Sequence, residues 1–127
     1  MENKKIESYK DLIVWQKGIE LVNEIYVLTK RFPKEEIYGL TNQMRRAAVS
    51  IPANIAEGWG RNSTKNYIQF IRISRGSLYE IETMIVIAKN QNYIDEDQKL
   101  SIAMRIDELG KMLNKLLSSL DHFLTKN

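Results

Sequence analysis

Apolar side chains recur at three- and four-residue intervals over most of the chain, the spacing that lays one face of an α-helix against a core. The last third shows it most plainly. Ile102, Ile106, Leu109, Leu113, Leu116, Leu117, Leu120 and Leu124 form one stripe, while Arg105, Glu108, Lys111 and Lys115 fall elsewhere on the wheel. Helices are predicted over about 11–31, 35–57, 63–92 and 95–124, behind an N-terminal tail of residues 1–10. The second starts at about Glu35 or at Thr41. Asp11 stands where an N-cap would, and Phe32-Pro33 ends the first helix, because a residue before proline avoids the helical region. Gly58-Trp59-Gly60 reads as the close of the second, since glycine takes the left-handed C-cap conformation readily. Ser63 caps the third, and Glu96 and Asp97 after Asp95 suit the first turn of the fourth. Long helices with short connections imply an all-α, antiparallel up-down-up-down four-helix bundle.

Two of the helices carry more apolar surface than one core can absorb. On the first, Leu12, Trp15, Ile19, Val22 and Tyr26 make a stripe, and Val14, Leu21, Ile25 and Leu28 make a second beside it. On the third, Tyr67, Ile71, Leu78 and Ile85 lie beside Phe70, Ser74, Ser77, Ile81, Met84 and Ala88, with Ile68, Tyr79 and Val86 on a further face. Contiguous surplus apolar surface marks a subunit contact. A homo-oligomer interface is therefore expected at Val14, Leu21, Ile25, Leu28, Ile68, Tyr79 and Val86.

The chain's 127 residues suffice for one domain with its own core, here 1–127, and not for two ordinary ones. With 43% hydrophobic and 28% charged residues it falls in the globular range rather than the disordered one. Cysteine is absent, which excludes disulfides, thiolate metal sites and a cysteine nucleophile. The start Met1-Glu2-Asn3-Lys4-Lys5 is polar and no long apolar run follows, so neither a signal peptide nor a membrane span is expected, and the cytoplasm is the simplest location. Catalytic motifs are missing as well: no phosphate loop, no histidine pair one turn apart, no Glu-x-x-His. The lone His122 points away from the stripe of the fourth helix. Glu57, Glu80 and Glu82 stand near arginines and read as ion-pairing groups rather than metal ligands. The expectation is a protein without catalytic residues, metal or cofactor.

The net charge of +3 is small, but it is unevenly spread. From Thr41 to Arg75 the basic residues are Arg45, Arg46, Arg61, Lys65, Arg72 and Arg75 against the single acid Glu57, about +5, while the rest of the chain is about −2. A basic region of this kind suits a polyanion, and these six residues are the candidate nucleic-acid-binding set. Trp59, between two glycines, is placed either to stack a base or to pack over the bundle end. Two functional readings stay open: an oligomeric adaptor for nucleic acid, RNA above all, and an oligomeric scaffold for another protein whose arginines are structural.

The run Gln43-Met44-Arg45-Arg46-Ala47-Ala48-Val49-Ser50-Ile51-Pro52-Ala53-Asn54-Ile55-Ala56-Glu57-Gly58 reads as helix yet holds a proline inside it. Pro52 removes a backbone donor and crowds the carbonyl of Ala48, at a cost of roughly 3 kcal/mol. Asn54 and Glu57 are placed to satisfy polar groups near the proline, with Glu57 or Glu80 pairing with an arginine of the second or third helix. Pro52, Asn54, Glu57 and Glu80 thus form a candidate structural polar motif.

This run resembles the signature of the four-helix-bundle proteins encoded in intervening sequences of bacterial 23S ribosomal RNA genes. Asp11-Leu12-Ile13-Val14-Trp15-Gln16, Phe32-Pro33 with Glu36, Tyr38-Gly39-Leu40-Thr41 and Ser77-Leu78-Tyr79-Glu80-Ile81-Glu82 extend the resemblance over nearly the whole chain. It implies a bundle assembling as a barrel-like homopentamer, with no assigned chemical activity. A more remote branch, the accessory variability determinants of diversity-generating retroelements, implies reverse transcriptase and template RNA as partners.

Overall fold

The apolar stripes become helices: α1 (Ile13–Thr29), α2 (Leu40–Trp59), α3 (Thr64–Asn90) and α4 (Glu96–Lys126), with short 3-10 turns at Tyr9–Asp11 and Lys34–Glu36. The computed structural model describes residues 5–126, so the first four residues of the expected tail and Asn127 lie outside the described residues. Among the described residues there is no β-strand. α1 packs on α2 and α4, and α3 packs on the same two, so the helices form a four-cornered bundle around one core. The α2–α3 contact is the most extensive and the α1–α4 seam the least. That seam carries ion pairs on its surface, Lys17–Glu108 at 3.1 Å and Arg105–Glu24 at 3.4 Å. The hydrogen bond to Glu108 holds the Lys17 ammonium above the usual lysine value.

Several helix ends differ from the sequence reading, each for a local reason. Asp11 caps the 3-10 turn, not α1: its carboxylate accepts from the Ser8 and Glu7 amides while the Ser8 hydroxyl accepts from Lys10. Leu12 is then extended, and α1 begins at Ile13. Gly58 does not end α2. The helix runs on to Trp59, Gly60 stays right-handed, and the left-handed position is taken by Asn62 with φ 56°. Asparagine is among the residues that tolerate it best. The Ser63 cap of α3 is present, its hydroxyl accepting from Asn66 at 3.3 Å. Asp95 and Gln98 exchange hydrogen bonds of 2.8 Å in a capping box that opens α4.

Gly58 faces α3 so closely that a Cβ there would lie 2.7 Å from the Phe70 Cβ and 3.0 Å from Tyr67. A helix-interior glycine ordinarily gains from replacement by alanine. Here the neighbour is the stiff root of a side chain, so Gly58→Ala is expected to lower stability by about 1–3 kcal/mol. Thermal or denaturant midpoints check it, and an unchanged or raised midpoint would show that the two helices part without cost.

α2 cannot begin at Glu35, because Glu36 is needed as its cap. The Glu36 carboxylate accepts from the Leu40 amide at 3.1 Å and, on its other oxygen, from the Tyr93 hydroxyl at 2.8 Å. Tyr93 in turn packs its ring on Phe32 at 5.3 Å. One side chain thereby joins the α1–α2 connection, the start of α2 and the α3–α4 corner. The Tyr93 hydroxyl, and then the Leu40 amide, hold the Glu36 carboxyl below its ordinary value. A lowered folded value means this contribution to stability is present above the unfolded pKa and fades as pH falls through the folded one. Accordingly Glu36→Gln should destabilise the chain at neutral pH, and the gap to wild type should narrow in denaturant melts as pH falls through the lowered Glu36 value. A gap that persists unchanged into acid would exclude the charged carboxylate as its source.

Pro52 is buried, and its ring seats against Gly18 of α1, where an added Cβ would lie 3.4 Å from the proline Cβ. From the other side the Ser74 hydroxyl of α3 donates to the Ile51 carbonyl at 2.9 Å. Ring burial and this hydrogen bond offset part of what the proline costs the helix.

Candidate nucleic-acid interface

The six basic residues do not form one patch. Successive residues of a helix point about 100° apart, and Arg45 and Arg46 accordingly go separate ways. Arg45 is half-buried: its Nε donates to Thr29 Oγ1 at 2.9 Å and its guanidinium lies over the Tyr26 ring at 4.6 Å. It fastens α2 to α1. Arg46 is exposed and lines a groove between α2 and α3. Arg61 pairs with Glu57 at 2.6 Å and lies over Phe70 at 5.1 Å, at the end of the bundle. Lys65 and Arg72 are exposed on α3, two turns apart on the same face. Arg75 donates to Asn114 Oδ1 at 3.0 Å and ties α3 to α4.

Arg46, Lys65 and Arg72 therefore differ from the rest: none has an ion-pair or hydrogen-bond partner among the described residues. The other ion pairs cluster away from them. Lys17, Glu20, Glu24, Arg105, Asp107, Glu108 and Lys111 neutralise one another on α1 and α4, and Lys89 meets Glu96 at the α3–α4 corner. Glu80 and Glu82 of α3 and Lys115 of α4 are likewise exposed without partners among the described residues, so unpaired charges of both signs occur on more than one side of the bundle.

The polar motif around Pro52 is rearranged from the sequence reading. Asn54 donates to the Ser50 carbonyl at 2.8 Å and to the Ser50 hydroxyl at 2.9 Å, rather than to the Ala48 carbonyl that the proline crowds. Ser77 of α3 donates to the same Ser50 oxygen at 2.9 Å. Glu57 pairs with Arg61, which lies in the α2–α3 connection and not on either helix. Glu80 is exposed and has no partner among the described residues.

The residues proposed for a subunit interface divide in two. Val14, Leu21, Ile25, Leu28 and Ile68 are buried inside the single chain, so they cannot present a surface to another copy. Tyr79 and Val86 are exposed, at 51% and 45%. On α1 the two stripes have exchanged places. Trp15, Ile19 and Val22 are half-buried and Tyr26 is exposed, so this flank is the one that faces outward.

Sequence reasoning passed over three features. The Ser50–Asn54–Ser77 cluster was signalled by serines set inside an apolar stripe. The Glu36–Tyr93 bond spans the chain and had no local signal. Tyr38, 92% exposed at the mouth of the α2–α3 groove, has no signal in the hydrophobic pattern that sets it apart. Among the described residues no group of three or more His, Asp or Glu is placed to hold a metal ion, and no helix is long and apolar enough to cross a membrane.

Comparison with curated proteins gives no match. Among solved structures, the chain is similar to a protein of unknown function from the S23 ribosomal protein family of Bacteroides thetaiotaomicron VPI-5482, with a TM-score of 0.77 and 25% identity, over 83% of this chain and 98% of that one. The profile of the 23S rRNA-intervening sequence proteins matches residues 10–115, which takes in α1, α2, α3 and most of α4. By that extent of match, the chain belongs to the 23S rRNA-intervening sequence protein family.

Proposed function

We propose that the protein is a non-enzymatic, cytoplasmic, homo-oligomeric adaptor that binds RNA through the exposed cations Arg46 of α2 and Lys65 and Arg72 of α3. The observation that carries this reading is that Arg46, Lys65 and Arg72, half of the basic set of the 41–75 segment, are exposed and unanswered by any carboxylate among the described residues. Cations left free of ion pairs are available to phosphates, and their effect multiplies with copy number. The bundle is antiparallel up-down-up-down in this reading, supported by the short connections 30–39, 60–63 and 91–95 between helices that pack as neighbours. The assembly is a closed ring, five-fold by family resemblance, using Tyr79 and Val86 of α3 and the outward flank of α1. Retention of single-stranded RNA by the wild-type protein at low salt tests the function directly. Failure to retain it would leave the protein-scaffold reading, with Arg45 and Arg75 as its structural arginines.

A further inference from the structure

The groove between α2 and α3 holds about 430 Å³ and is bounded by Tyr38, Asn42, Gln43, Arg46, Ser50 and Glu80. That volume lies within the usual range for small-molecule sites, about 300–1,000 Å³. Arg46 and Glu80 enter it from different helices and form no ion pair with each other or with any other described residue. Opposite charges lining one groove without closing on each other leave a donor set and an acceptor set for a third party. Asn42 and Gln43 likewise have no hydrogen-bond partner among the described residues. On the floor, the Ser50 oxygen accepts from Asn54 and from Ser77, both at 2.9 Å, which leaves its own proton to donate. Tyr38 stands 92% exposed at the lip.

We propose that this groove receives the base of an unpaired guanine nucleotide. Guanine carries adjacent N1–H and N2–H donors, which a carboxylate accepts together, beside the O6 and N7 acceptors that an arginine serves. Adenine offers an acceptor at N1 where guanine offers a donor, and the pyrimidines present no paired donors on that edge. Glu80 therefore selects guanine, with Arg46 on O6 and N7 or on the adjoining phosphate, and with the amides and Ser50 completing the edge. Tyr38 supplies the stacking surface that unpaired bases use on RNA-binding proteins. The site deepens the RNA reading and rests on it only where the base belongs to a strand.

Two arms test it on the full chain. Titration of 5′-GMP and 5′-AMP, followed by NMR of the Asn and Gln side-chain amides and the Tyr38 ring, should show GMP binding about tenfold or more tightly than AMP. Retention of single-stranded heptamers with a central G or A in a uridine background should show the same order at about 50 mM salt. Glu80→Gln, an exposed site, should erase the preference in both arms without loss of A-heptamer retention, and Tyr38→Ala should weaken both nucleotides. Equal binding of GMP and AMP, or a preference untouched by Glu80→Gln, overturns the guanine site. If both heptamers are retained equally, the guanine site falls and the RNA reading stands. If GMP binds selectively while neither heptamer is retained, the groove is a nucleotide site and the RNA reading falls.

Discussion

Ile25→Asp is expected to abolish folding of the chain, not just its assembly. Ile25 is fully buried at the centre of the α1 face, among Leu21, Leu28 and the core of the other helices. The substitution removes a buried aliphatic side chain, worth about 1.5–3 kcal/mol, and leaves an unpaired carboxylate that costs several kcal/mol more. Together these approach the whole stability of a small domain, about 5–15 kcal/mol. Tyr79→Asp is the contrast: the side chain is exposed, so helicity should survive while the assembly loses mass. Far-UV circular dichroism and light scattering on both variants decide the matter. A folded monomeric Ile25→Asp would return that stripe of α1 to the subunit interface.

The second large effect is on RNA affinity. Lys65 and Arg72 share the outer face of α3 and have no partners to lose, so replacing both with Glu should leave the bundle intact. Each phosphate contact to single-stranded nucleic acid contributes a slope of about −0.7 to the dependence of log affinity on log salt. If two copies of the ring engage one strand through three cations each, affinity should fall a few hundredfold between about 50 and 200 mM salt. The double variant should lose retention at every salt concentration and keep its helicity. Binding that is insensitive to salt, or undiminished in the variant, would contradict a phosphate-reading face. Because the pair lies outside the α2–α3 groove, this experiment is separable from the one on Glu80.

How far the sequence revealed this structure varied with the number of faces each helix buries. α4 was legible because it has a single apolar stripe, and Leu109 and Leu113 of that stripe are indeed buried. α1 was ambiguous because two adjacent stripes were equally apolar. The deciding residue was Gly18, which sits within the Val14–Leu21–Ile25 face and lets Pro52 approach; its meaning depends on a contact with another helix. The Gly58-Trp59-Gly60 triplet does close α2, at Trp59, but that Gly58 also admits Phe70 depends on a contact with another helix. The basic segment was visible as composition, yet helical rotation distributed it over several faces, and Thr29, Glu57 and Asn114 took up Arg45, Arg61 and Arg75. Such pairings are tertiary, and no spacing along the chain announces them. The partition of those six cations into engaged and unengaged ones required the fold.

The carboxylate of Glu36 also binds three positions into one unit of variation. A Cβ at Gly39 would lie 2.8 Å from its Oε1, and the Tyr93 hydroxyl spends its proton on the other oxygen. While Glu36 is present, a side chain at Gly39 or the loss of the Tyr93 hydroxyl disturbs a bond that also caps α2. Once Glu36 is replaced by a smaller residue, the space beside Gly39 opens and Tyr93 has no acceptor left to lose, so the same changes cost less. Substitutions at positions 36, 39 and 93 are therefore non-additive, and the order in which they are accepted matters. Although 57 residues separate Glu36 from Tyr93, the cost of a change at one corner of the bundle depends on the residue present at the other.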